Sequence, residues 1–135
     1  MHELFLRVKG IVKKNDKYLI VKRWMDDRIP DPFFWEFVDG EVGESESPDE
    51  AVLRQIRETL GVEGTIDRIL YTWAGMLGET HMVGIAYLCS TVADDSQFVL
   101  SEDFGEWTWV TQEEFEEYIE NKMVLEDLKR NGKKL

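Results

Sequence analysis

Residues 40 to 62 read GEVGESESPDEAVLRQIRETLGV, a turn crowded with acids that runs into a segment carrying Arg54, Gln55 and Glu58. Carboxylate and amide oxygens gathered on one patch are hard ligands, the kind that magnesium needs in an octahedral array. A magnesium ion held in this way keeps positions for phosphate oxygens, so these residue types could grip a diphosphate and expose its phosphorus to water. A solvated helix also carries charges on its outer face, and the loop is what turns the reading toward a site. Gly40 and Gly43 let the backbone approach a ligand closely, and Glu46 stands just ahead of the helix cap, beside a terminus that favours anions.

The elements that must position these groups have clear signals. Ser47 suits an N-cap, Pro48 the first helical position, Glu50 the partner in a capping box and Gly61 the stop, which predicts a helix over 48 to 60. At about 100° per residue, Val52, Leu53, Ile56 and Leu60 form an apolar stripe that packs on a sheet. The opposite side presents Glu50, Arg54, Gln55 and Glu58, with Glu50, Arg54 and Glu58 at four-residue spacing. Ahead of the box, residues 4 to 14 and 17 to 24 read as two strands joined at Asn15 and Asp16. MDDRIPDPFF reads as a loop and WEFV as one short strand. Behind the box, TIDRILYTWAGML and THMVGIAYLCSTVA read as long strands and GEWTWV as a shorter one. A capping box at Thr111 to Glu114 opens a helix over EFEEYIENK, and MVLEDLKRN a last one. Strands, helix, strands, helix make a mixed α/β order, with the C-terminal helices covering one face of a sheet.

At 135 residues the chain is sized for one domain, 1 to 135. Five Trp, seven Phe and four Tyr supply enough apolar area for a core without disulfides, and the single Cys89 reads as a small buried hydrophobe. The net charge of −12 repels a phosphate backbone, which excludes long nucleic acid as a partner and leaves a small anion bridged by divalent cations. No leader-like or membrane-length apolar run is present, so a soluble, cytoplasmic protein is expected. The sequence leaves open whether chains pair as a homodimer.

The stretch resembles the Nudix box, in which Gly40, Glu46, Arg54, Ile56, Glu58, Gly61 and Val62 fall at the required spacing. WEFVDG is similar to the strand that leads into that box, and VLSEDFGEWTWVTQEEF to the family's late strand and helix, so the likeness spans most of the chain. The resemblance implies an α/β/α sandwich around a mixed β-sheet and metal-dependent cleavage, with Mg or Mn, of a nucleoside triphosphate or nucleoside diphosphate derivative. It implies Glu58 as the retained metal ligand, with the Gly40 backbone beside it. It also implies Glu46 and Arg54 as a pair that braces the loop, and Gly61 as a structural residue.

The departures carry equal weight. Gln55 stands in place of the first helix glutamate, which can act as the base, and Thr59 in place of the last. A glutamine carbonyl can coordinate a cation but cannot take a proton from water, and losing a general base costs on the order of a hundredfold to ten-thousandfold in rate. Glu102 is the first candidate to compensate as metal ligand and catalytic group, ahead of Glu106, Glu79 and Glu50; His81 could replace a base. Arg23 and Arg28 are candidate phosphate partners through their forked donors, and Phe34, with Trp24, Phe33 and Trp35, offers a stacking face for a base. The main expectation is a pyrophosphohydrolase. Its alternative is a catalytically impaired module that binds a nucleotide or related ligand without cleaving it. A third reading, an acidic scaffold, has no motif behind it.

Overall fold

The computed structural model describes residues 3–23 and 35–135. The chain opens with a hairpin of β1 (Leu4–Lys14) and β2 (Lys17–Arg23). Asn15 and Asp16 at its tip have φ of 51° and 64°, the left-handed pair that matches the twist of flanking strands. The expected single strand at WEFV is instead two. β3 (Trp35–Glu36) pairs with β2, and β4 (Val38–Glu41) pairs with β1. Phe37, 1% exposed, lies in the cluster on one side of the sheet while Val38 lies in the other, so the chain changes partner strand at this point.

Helix α1 (Pro48–Leu60) has the expected bounds and the full reciprocal capping box between Ser47 and Glu50. It ends at Gly61, whose φ of 70° strains any other residue and whose close approach to Val99 makes a β-carbon a tight fit. A long hairpin follows, β5 (Thr65–Leu77) and β6 (Thr80–Ser90), and β6 runs parallel to β1. The strand predicted to reach residue 93 stops at Ser90, because the Thr91 hydroxyl donates to the Glu63 carbonyl and accepts from Ala93 N–H, replacing ladder bonds with local ones. β7 (Phe104–Val110) pairs with β2. The result is a seven-stranded mixed sheet with the order β3-β2-β1-β6-β5, to which β4 adds on β1 and β7 on β2.

Strand alternation divides the core in two. Val8 and Val12 join Val52, Ile56 and Leu60 beneath α1. Ile11, Tyr18, Phe37 and Tyr71 join Phe115, Ile119 and Leu128 on the other side, beneath α2 (Phe115–Tyr118) and α3 (Lys122–Arg130). Helices on both faces of a mixed sheet make the α/β/α sandwich. The helix expected over EFEEYIENK covers only Phe115–Tyr118, since Ile119 is already extended and Asn121 caps the next helix by accepting from Met123 and Val124 N–H. An N-cap residue must itself leave helical geometry, so the two helices cannot merge.

Candidate active site

The site begins with one guanidinium. Arg54 Nε donates to Glu46 Oε2 at 2.7 Å and Nη2 to Glu46 Oε1 at 3.0 Å, a forked pair. The same side chain reaches Glu58 Oε2 at 3.2 Å and the Glu41 carbonyl at 3.1 Å. Glu46 in turn accepts from Gly43 N–H at 2.8 Å. The helix, the acidic turn and the end of β4 are thus tied through Arg54. The bond to Arg54, helped by the Gly43 amide, holds the Glu46 carboxyl down at about 2.

Gln55 lies across Gly40. A β-carbon on Gly40 would stand 2.1 Å from Gln55 Nε2, so glycine is what lets the Gln55 side chain lie against β4. Glu58 is exposed and one turn from Arg54, whereas Thr59 is only 5% exposed and faces the core side. The segment before β7 packs on the helix C-terminus, where Val99 N–H donates to the Leu60 carbonyl and Ser101 N–H to the Thr59 carbonyl, at 2.8 and 3.1 Å. Glu102 therefore emerges beside the last turn of α1 with an exposed side chain. Among the described residues no three His, Cys, Asp or Glu side chains converge as they would around a metal, so Glu58 and Glu102 are neighbours by segment and not by shared coordination. Glu50 is occupied as the capping partner of Ser47, and His81 is an exposed strand residue.

Arg23 turns toward Glu36, with Nη2 3.2 Å from Oε1, and lies 4.7 Å from the Phe104 ring centre. That contact is close but poorly aligned: Glu36 Oε1 is buried without a directed hydrogen bond. Burial and nearby Asp39 push the Glu36 carboxyl up to about 7, against the pull of Arg23. Arg28 and Phe34, with Trp24 and Phe33, lie outside the described residues.

Sequence reasoning missed a second group on the sheet face away from α1. Lys9 and Asp39 are register partners on β1 and β4, as are Arg7 and Glu41, and Arg7 Nη2 contacts Asp39 Oδ1 at 3.4 Å. Lys9 is 5% exposed and lines a cavity of about 100 Å³ with Trp35, Glu36, Phe37, Asp39, Ile119, Asn121 and Val124. The available signal was the spacing of Arg7 and Lys9, two cations at alternate positions in a strand whose intervening residues are apolar. That pattern reads equally as a solvated strand face, and only the covering helices show that it is buried.

A NUDIX domain family model matches residues 5–129. The chain is 27% identical over 133 residues to the nucleoside triphosphatase NudI of Escherichia coli O139:H28, covering 90% of this chain and 92% of that one. The Shigella flexneri serotype 5b NudI matches with the same figures. Among solved structures, the MutT protein from Methanosarcina mazei Go1 superposes with a TM-score of 0.81 at 21% identity, over 98% of this chain and 95% of that chain. The Escherichia coli ORF135 protein superposes with a TM-score of 0.72 at 22% identity, over 87% and 80%. The chain belongs to the NUDIX domain family, a family of hydrolases.

The donor set can be tested against a divalent ion. It holds the exposed Glu58 carboxylate, which shares Arg54 through one oxygen, the Gln55 amide and the Gly40 backbone, with both oxygens of Glu46 committed to Arg54. Magnesium commonly binds through one or two carboxylates plus substrate phosphates, keeping several waters. The residues present fit an ion that arrives with a diphosphate, and do not fit one caged by protein alone.

Proposed function

We propose that this protein hydrolyses the phosphoanhydride linkage of a nucleoside triphosphate or of a nucleoside diphosphate derivative, with the 40–62 segment as the site of cleavage. The observation that carries the reading is the Arg54 network, which fixes the acidic turn, β4 and α1 in one arrangement with Gln55 over Gly40 and Glu58 beside them. The similarity to nucleoside triphosphatases supports the substrate class. Glu58 and the Gly40 backbone would hold a magnesium or manganese ion that arrives with the diphosphate, with Glu102 proposed to swing toward it from the neighbouring segment; the ion would neutralise diphosphate charge and make bound water more acidic. Gln55 has no basic oxygen and serves to orient water or a phosphate oxygen through its amide. Arg23 supplies positive charge on the substrate side, with Arg28 and Phe34 proposed to add a phosphate contact and a stacking face. Water forms the new phosphorus–oxygen bond and gives up its proton to solvent or to Glu58, as the bridging bond breaks and the leaving phosphate oxygen departs with the electron pair. The −12 charge favours a small nucleotide over long nucleic acid, and a cytoplasmic setting suits such a substrate.

A second reading, a module that binds nucleotide without cleaving it, is favoured by the loss of two helix glutamates and by the buried state of Thr59. Pyrophosphate or phosphate release from a nucleotide panel, with Mg²⁺ or Mn²⁺ and with Glu58→Gln alongside, separates the two. Turnover that vanishes in the variant supports cleavage at this site. Tight nucleotide binding by the parent chain without turnover supports the binding module.

A further inference from the structure

The Lys9 side chain lies largely inside the protein, with no carboxylate within ion-pair distance of its ammonium among the described residues. Lys9 is 5% exposed, and among the described residues its Nζ makes no hydrogen bond or close ion pair; its nearest defined contact is the face of Trp73, 4.7 Å from the ring centre. Trp73 is itself fixed, because its indole covers Gly84, where a β-carbon would stand 2.1 Å from the ring. A mostly buried ammonium that lacks an ion-pair partner is costly, and its donors remain available to a group that enters the cavity. Burial lowers its proton affinity, while Asp39, Asp127 and Glu36 raise it and Arg7 lowers it.

The cavity beside Lys9 holds complementary groups. Glu36 Oε1 is a buried oxygen without a directed partner, and Asp39 stands opposite Lys9 in the β1–β4 register. Trp35, Phe37 and Val124 give it apolar walls. Asn121, which lines the cavity, spends its oxygen on capping α3 and keeps its amide N–H groups as further donors. At about 100 Å³ the space approaches the roughly 150 Å³ that admits one benzene ring, so it suits the edge of a single ring. The cavity also adjoins the cleavage site, since Asp39 precedes Gly40 on β4 and, among the described strands, β4 pairs only with β1. A ligand with phosphates at Gly40 can fold round the open edge of β4 and place its ring here.

We propose that Lys9 is a specificity-determining residue that donates to a ring carbonyl of the nucleobase while Glu36 or Asp39 accepts from a neighbouring N–H, so that keto-bearing bases are selected over adenine. Guanine and uracil each offer a carbonyl beside a ring N–H and cytosine a carbonyl with its amino N–H one ring nitrogen further along, whereas adenine has no carbonyl for the ammonium. A site built to hydrogen-bond a substrate group discriminates strongly against an analogue that lacks it. This inference rests on the nucleotide-hydrolysis reading above.

The test compares kcat/KM for GTP, CTP, UTP and ATP in the wild type, Lys9→Met and Glu36→Gln, with thermal melts to confirm folding. The wild type should favour the three keto bases over ATP by about tenfold or more. Lys9→Met should lose that preference, chiefly through KM, with ATP changed less than about twofold, and Glu36→Gln should narrow it. Equal loss on all four substrates, or a wild type that prefers ATP, overturns the assignment. If the wild type cleaves none of them, triphosphate hydrolysis fails as a reading by itself, and calorimetric binding of GMP, CMP, UMP and AMP takes over. Keto-selective binding lost in Lys9→Met supports the role of Lys9, and unselective or absent binding overturns it.

Discussion

The side-chain amide of Gln55 lies across the backbone of Gly40, so that a β-carbon at position 40 would stand 2.1 Å from Nε2 and 2.3 Å from Cδ. The obstacle is the far end of a long, half-buried side chain, and Gly40 is not held at positive φ. Gly40→Ala should therefore push Gln55 aside without breaking the fold. The expected stability cost is below about 1 kcal/mol, a shift of a few degrees in melting temperature. Turnover should fall by about tenfold or more, because Gln55 leaves the site. Melting curves and steady-state kinetics on one preparation check this, and a drop above ten degrees with intact specific activity would show the glycine to be a packing residue only.

The two substituted glutamate positions should respond in opposite ways when restored. Gln55 is half-buried at the mouth of the site, so Gln55→Glu adds a carboxylate where a cation or water can meet it, and turnover should rise by about tenfold to a hundredfold. Thr59 is 5% exposed, with the 99–101 segment packed on the same helix end. A carboxylate there would be buried without a partner, and Thr59→Glu should destabilise by about 2–4 kcal/mol. Isothermal titration of Mn²⁺ and chemical denaturation distinguish the pair. A stable Thr59→Glu chain with tighter metal binding would mean that the 99–101 segment moves aside readily.

What could be read in advance was whatever local chemistry decides. The bounds of α1 were legible because Ser47, Pro48, Glu50 and Gly61 are each end signals in themselves, and the Arg54–Glu46 brace followed from the motif they frame. The break at Phe37 was not, because it depends on which of two strands offers the next hydrogen bonds, and WEFV has the same local propensity either way. Lys9 was missed for a related reason. Its burial is set by Trp73 and by the helix after Asn121, far off in sequence, and a lysine on a strand says nothing about what will later cover it. The acidic cluster expected from Glu58 and Glu102 is the converse case: the segments meet, but convergence of side chains is a tertiary matter that spacing does not encode.

The Glu46–Arg54 pair should leave a signature in acid. Its folded carboxyl is held at about 2, below the ordinary value near 4.3, so the unfolded chain binds the proton more readily. Its stabilising contribution is complete above the ordinary value and is lost as pH falls from there toward 2. Glu46→Gln should accordingly be less stable than the parent at pH 7, with the difference shrinking through that window and vanishing near its lower end. Urea unfolding at pH 7, 4 and 3 measures it. A gap of constant size across the three would place the effect in packing, not in ionisation.

Glu36 should show the reverse slope. Its carboxyl is pushed up to about 7 by burial and by Asp39, so over the range from about 4.3 to 7 the folded state holds a proton that the unfolded state has released. Stability then falls as pH rises through that interval, because ionising Glu36 in the fold is disfavoured. Glutamine mimics the neutral acid. Glu36→Gln should match the parent near pH 4 and exceed it by about 1–3 kcal/mol at pH 8, the span allowing for partial solvation of the side chain. The Arg23 contact works against this gain, since removing the carboxylate leaves Arg23 without its 3.2 Å neighbour. The contact is poorly aligned, however, and Arg23 keeps the Phe104 ring, so the burial effect should win. Denaturation of both proteins from pH 4 to 8 decides the matter. A variant that is weaker than the parent at pH 8 would show that Glu36 is ionised and well paired in the folded chain, and Arg23 would then be committed to Glu36 and no longer available to a phosphate.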